Sequence, residues 1–147
     1  NTLFVSRERR GGLSRQIDAL RAAMLGHQPV ALFPEGTTSD GTDLLPFKPT
    51  LLAVLLPPPR PVRIQPIHID YGAAAPDIAW IGDEPAVDNV LRILRRKGRL
   101  PMTIRFLAPF DPAKCADRKA IAALARDRIA ASIAAHHHSS APPLPPV

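Results

Sequence analysis

The chain has 147 residues, of which 46% are hydrophobic and 22% charged, a balance that excludes a globally disordered polypeptide and suits one packed domain. Its single cysteine, Cys115, rules out an internal disulfide and a thiolate metal cluster and points to a reducing compartment; no apolar run approaches the roughly 18–20 residues needed to span a bilayer. The net charge of +6 favours a polyanionic partner, whether nucleic acid, an anionic membrane surface or a phosphorylated substrate.

In chain order, residues 3–5 form a short apolar strand that opens into the basic loop Ser6-Arg7-Glu8-Arg9-Arg10. Ser14 is a plausible N-cap for a helix on which Ile17, Leu20 and Met24 recur at helical spacing until Gly26. The apolar run 30–33, bounded by Pro29 and Pro34, has the character of a buried strand of a mainly parallel sheet. After a polar turn at 37–43, residues 50–56 suit a short buried helix, with Pro49 in its first turn and Pro57 ending it. Residues 62–70 alternate with period two, and Pro66 confines them to an edge or a bulge. Strands are expected at 78–81 and 102–107, with a helix between them whose apolar face carries Val90, Leu91 and Leu94. Asp117 caps a last, Ala-rich helix bearing Ile121, Leu124, Arg128, Ile129 and Ile133 close to one face. The expectation is α/β: a single domain with a mixed, mainly parallel sheet flanked by helices. It spans residues 1–135, and a His/Pro-rich tail at 136–147 is expected to be disordered.

The segment Phe33-Pro34-Glu35-Gly36-Thr37-Thr38-Ser39-Asp40-Gly41 carries the densest chemistry. Ligands of α/β sheets sit outside the carboxyl ends of strands, where Glu35, a permissive Gly36 and the hydroxyl of Thr37 can converge on a polar head group. Lys48 is either a phosphate or acyl-donor contact or a surface lysine lying over Phe47. Arg92, Arg95, Arg96, Lys97 and Arg99 form the densest basic cluster, read either as cations complementing a helix C-terminus or as a patch that rests on anionic lipid. Nucleic acid is the competing polyanion. With only 5% aromatic residues and no recognisable nucleic-acid motif, it is not the expected partner.

Residues 33–39 resemble the Phe-Pro-Glu-Gly-Thr block of the lysophosphatidic acid (1-acylglycerol-3-phosphate O-) acyltransferase family. Phe4-Val5-Ser6-Arg7 is similar to the block whose arginine binds the acceptor, Leu45-Pro46-Phe47-Lys48 to the stretch after Glu-Gly-Thr, and residues 62–69 with Pro66-Ile67 to the last block. The order of the four blocks matches as well; past Tyr71 the likeness is weaker. The resemblance implies a glycerolipid acyltransferase fold and transfer of a fatty acyl group from acyl-CoA or acyl carrier protein to a lysophospholipid or related lysolipid. It implies acceptor binding by Arg7, Glu35, Gly36, Thr37 and Lys48, and no cofactor, the thioester being a co-substrate. It also implies association with the cytoplasmic face of an anionic membrane. The family's base, the His of a His-x-x-x-x-Asp motif, has no counterpart: His27 is followed five positions on by Leu32, His68 by Ala73 and His136 by Ala141. No catalytic residue is therefore assigned. The pair is expected upstream of Asn1, the acyltransferase domain is expected to be N-terminally incomplete, and these residues alone are expected to be inactive. Thr38 stands where some members carry Arg, which leaves other lysophospholipids, or a lyso-ornithine lipid, open as acceptor. A catalytically inactive lipid-binding module and a basic nucleic-acid-binding domain are the alternative classes.

Overall fold

The computed structural model describes residues 13–26, 29–41 and 43–139. Its contacts divide the chain into two compact units. The first draws on Asn1–Gly36, Phe47–Ile64 and Pro109–Ala125, the second on Thr37–Pro46, Gln65–Ala108 and Arg126–Val147.

In the first unit, α1 (Leu13–Leu25) places Ile17, Leu20 and Met24 on one face, the spacing that helical periodicity requires. The helix begins one residue before Ser14, the expected cap. α1 packs on a 3-10 helix, Leu51–Leu55, that contributes Leu52, Val54 and Leu55. The amide of Leu52 donates to the Pro49 carbonyl at 3.1 Å, so Pro49 occupies the first turn, where its missing N–H costs nothing. Ile64 and Phe110 exchange both backbone hydrogen bonds at 2.9 Å, delivering Phe110 to the same core. A second 3-10 turn, Pro112–Lys114, is capped by Asp111, whose carboxylate accepts from the Ala113 amide. The first turns of α4 (Arg118–Ser139) then close the core with Ile121 and Ala122. Asp117 caps α4 as expected, its Oδ1 accepting from the Ala120 amide at 2.8 Å.

In the second unit, β1 (Ile67–Asp70) and β2 (Thr103–Phe106) pair antiparallel, with Ile67 opposite Phe106 and Ile69 opposite Ile104. These four side chains share one face of the ribbon and are all exposed, while His68 on the other face is buried. A 3-10 turn, Gly72–Ala74, runs into the single-turn α2 (Ala75–Ile78), and α3 (Ala86–Arg95) follows. The remainder of α4 completes the unit: Arg126 donates to the carbonyls of Leu44 and Leu45, and Arg128 to that of Ala108.

Three expectations are corrected. The sheet among the described residues is a two-stranded antiparallel ribbon, with no parallel pairing. Residues 30–33 are not a strand: the flanking prolines remove amide donors at both ends, and Phe33 points outward at 77% exposure. Residues 78–81 are not a strand either, because side chains take the backbone's hydrogen bonds in place of a ladder. The Ala79 carbonyl accepts from Arg92 Nη2 at 2.6 Å and from Asn89 Nδ2 at 3.4 Å. Pro66, by contrast, interrupts the pairing of residues 62–70 as its missing donor predicts, and its carbonyl still accepts from the Leu107 amide. α4 continues to Ser139 and so includes the first four residues, 136–139, of the expected tail. Residues 140–147 lie outside the described residues.

Candidate functional site

The Phe-Pro-Glu-Gly segment folds into a tight corner in the first unit. The Gly36 amide donates to the Phe33 carbonyl at 3.2 Å, and the Lys48 amide donates to the Pro34 carbonyl at 2.8 Å. Gly36 sits at φ +67°, a conformation that a residue with Cβ adopts only under strain. Glycine also makes room for a neighbour. A Cβ at position 36 would lie 3.2 Å from Lys48 Cδ and 3.3 Å from Lys48 Nζ, so the lysine stem and ammonium lie directly over the Gly36 backbone. Glu35, the residue before Gly36, is half-buried, and Lys48 is exposed. Three expected acceptor-binding residues, Glu35, Gly36 and Lys48, are thus brought together, although the chain separates Lys48 from the other two by the whole polar turn. The result is a corner whose one cation packs where a residue-36 side chain would lie, with an acidic residue next in the chain, two charges of opposite sign that a zwitterionic head group can address.

Thr37 opens the second unit; it is exposed, and its hydroxyl reaches the Thr38 carbonyl at 3.5 Å. Arg7 lies outside the described residues. A shallow depression in the first unit, lined by Pro58, Arg60, Val62, Arg63 and Asp111, includes none of the corner residues.

The basic cluster divides. Arg92 is spent inside the second unit: Nε donates to Glu84 Oε1 at 3.0 Å, Nη2 to Glu84 Oε2 at 2.8 Å, and Nη1 to the Asp77 carbonyl. This fork, aided by a 3.0 Å bond from Asn89, lowers the Glu84 carboxyl to about 2. Arg96 pairs with Asp77 at 3.2 Å and donates to the Arg99 carbonyl at 3.0 Å. Arg92 and Arg96 therefore brace the fold within the second unit. Arg95, Lys97 and Arg99 remain exposed. The face of α3 carrying Val90, Leu91 and Leu94 is also exposed.

His68 and Asp70 have structural partners. His68 Nδ1 lies 2.9 Å from Ser132 Oγ, and its ring meets His136 edge-on at 6.2 Å. Asp70 accepts from the Gly72 amide at 2.8 Å and from Arg105 at 3.0 Å, and these two bonds hold its carboxyl below the ordinary value. Sequence reasoning missed Arg60, whose guanidinium donates to the Met24 and Gly26 carbonyls and so closes the C-terminal end of α1. It also missed Arg126. The available signal was weak: each is a lone arginine, distant in sequence from the carbonyls it satisfies.

A family model described as Acyltransferase matches residues 1–70. Lyso-ornithine lipid O-acyltransferases are similar along most of the chain: that of Brucella abortus is 33% identical over 88% of this chain and 54% of its own length. The Rhizobium meliloti protein is 33% identical over 87% of this chain and 48% of its own length, and that of Pseudomonas aeruginosa 34% over 87% and 49%. The likeness thus extends well beyond Tyr71, where recognisable motifs end. The chain spans about half the length of these relatives. No solved structure matches.

Proposed function

We propose, from the premise that this chain belongs to a glycerolipid acyltransferase family, that it forms the acceptor-binding part of an enzyme that acylates the hydroxyl of a lyso-ornithine lipid. The observation that carries this reading is the corner at Gly36, where the Lys48 side chain packs against the glycine that follows Glu35. An ornithine head group offers a carboxylate to Lys48 and an ammonium to Glu35, so one corner complements both of its charges. A phosphate acceptor calls instead for a planar guanidinium fork, and position 38 is threonine. The names of the relatives favour the same acceptor.

In the reaction the lysolipid hydroxyl oxygen attacks the carbonyl carbon of an acyl thioester, from acyl-CoA or acyl carrier protein. The C–S bond breaks, the ester forms, and the hydroxyl proton passes through a base to the departing thiolate. Nowhere among the 147 residues does an Asp follow a His at the offset that the family's base requires. This chain's part is therefore binding and orientation, with Arg7, Thr37 and the anionic membrane surface as further proposed contacts.

Competition binding with a labelled lyso-ornithine lipid tests the reading. Unlabelled lyso-ornithine lipid should displace the probe at roughly tenfold lower concentration than lysophosphatidate, a difference of about 1.4 kcal/mol. Adding an acyl thioester should give no turnover. Stronger displacement by lysophosphatidate would overturn the acceptor assignment, and robust turnover would overturn the division between binding and chemistry.

A further inference from the structure

Helix α3 of the second unit carries Val87, Val90, Leu91 and Leu94 at the spacing of one helical stripe, and these side chains are 68%, 52%, 38% and 73% exposed. A surface helix ordinarily turns such a stripe into the core. Here the arrangement is inverted. Asn89, at 6% exposure, lies on the opposite side of the helix together with Arg92 and Arg96, and all three are hydrogen-bonded within the unit, to Asp77, Ala79, Glu84 and Arg99. The polar face is the anchor, and the apolar face is left outward.

We infer that α3 is a membrane-docking element that lies in the plane of an anionic lipid surface. Its Val87–Leu94 stripe enters the boundary between head groups and acyl chains, and Arg95, Lys97 and Arg99 rest on the head groups. Charge complementarity selects lipid as the occupant. No Asp or Glu occurs between Asn89 and Leu107, so the chain leaving the helix carries only cationic side chains, one of them, Arg96, paired with Asp77; the exposed Asp88 sits in the first turn, at the opposite end. Leu100 and Met102, 40% and 49% exposed, add apolar surface just beyond the cations. A basic helix with a strong apolar face is the form that interfacial binding favours.

The inference goes beyond the acyl-transfer reading, and vesicle binding without any acyl donor keeps the two separable. The chain is mixed with vesicles of phosphatidylcholine containing phosphatidylglycerol, and its partitioning is compared with that of the double variant Val90→Gln, Leu94→Gln at low and high salt. Both positions are exposed, and the far-ultraviolet spectrum and Trp80 fluorescence verify that the variant is folded. Partitioning should fall by about tenfold or more at either salt concentration, because the lost contact is apolar. The Arg95→Gln, Lys97→Gln pair should weaken binding only at low salt, where charge is unscreened. Wild-type partitioning by the Val90, Leu94 variant would overturn the proposal. So would a wild-type dimer that this variant splits while vesicle binding stays unchanged, which would assign the face to a second copy.

Discussion

Ile121 and Val54, 0% and 2% exposed, are the deepest hydrophobic side chains of the first unit, surrounded by Leu20, Met24, Leu55 and Phe110. In the second unit the buried side chains include His68 and Asn89, and the larger apolar residues of α3 and of one ribbon face lie outside. The first unit is held as most domains are, by apolar area removed from water. The second relies on directed bonds, with Arg92 and Glu84 at their centre. A surface freed from the task of holding a core is available for other contacts, and the second unit has such a surface on α3. The first unit, with its interior filled, can hold a backbone corner at Gly36 steady for a ligand.

Breaking the core of the first unit should have the largest effect. Ile121→Ala should cost about 2–5 kcal/mol in urea unfolding, since a fully buried branched side chain leaves a cavity that the surroundings fill only in part. A loss under 1 kcal/mol would mean the site is not closely packed. Gly36→Ala comes next, at about 1–2 kcal/mol, from forcing a Cβ into the left-handed region; its Cβ would also press on Lys48. Asp117→Ala should cost about 1 kcal/mol through loss of the α4 cap, and Asp117→Ser should recover most of it.

The smallest effect concerns the second unit and its dependence on pH. Glu84 is held at about 2, against an ordinary 4.5, by Arg92. Because its folded value is lowered, its contribution is complete above pH 4.5 and is lost as the pH falls toward 2. Glu84→Gln should remove that acid-dependent step. Trp80, whose indole donates to the Glu84 carbonyl at 2.7 Å, is the chain's only tryptophan and reports the transition by fluorescence. An unchanged acid profile would show that the Arg92 fork does not stabilise this unit.

Elements whose signal is local were legible from the residues. The spacing of Ile17, Leu20 and Met24, the cap at Asp117, and the break at Pro66 each act within a few positions of themselves. Residues 30–33 and 78–81 misled because an apolar run becomes a strand only when another strand supplies its hydrogen bonds. Around Ala79 those bonds come from Asn89 and Arg92, side chains on the next helix. The apolar residues of α3 were recognisable as a stripe, but which way it faces depends on where Asn89, Arg92 and Arg96 find acceptors. In the candidate site, Glu35 and Gly36 stood out by adjacency and resemblance. Lys48 was ambiguous until the backbone bond to Pro34 placed it over Gly36.

The central claim is that the Gly36 corner binds the acceptor through Lys48, and the affinity of Lys48→Gln for lyso-ornithine lipid tests it most directly. The side chain is exposed, so the substitution should leave the fold intact. Affinity should fall by about tenfold, the lower end of what a hydrogen bond to a charged group contributes, and Lys48→Arg should retain most of it. Affinity equal to that of the wild-type chain would contradict the claim and return Lys48 to the role of a surface lysine beside Phe47.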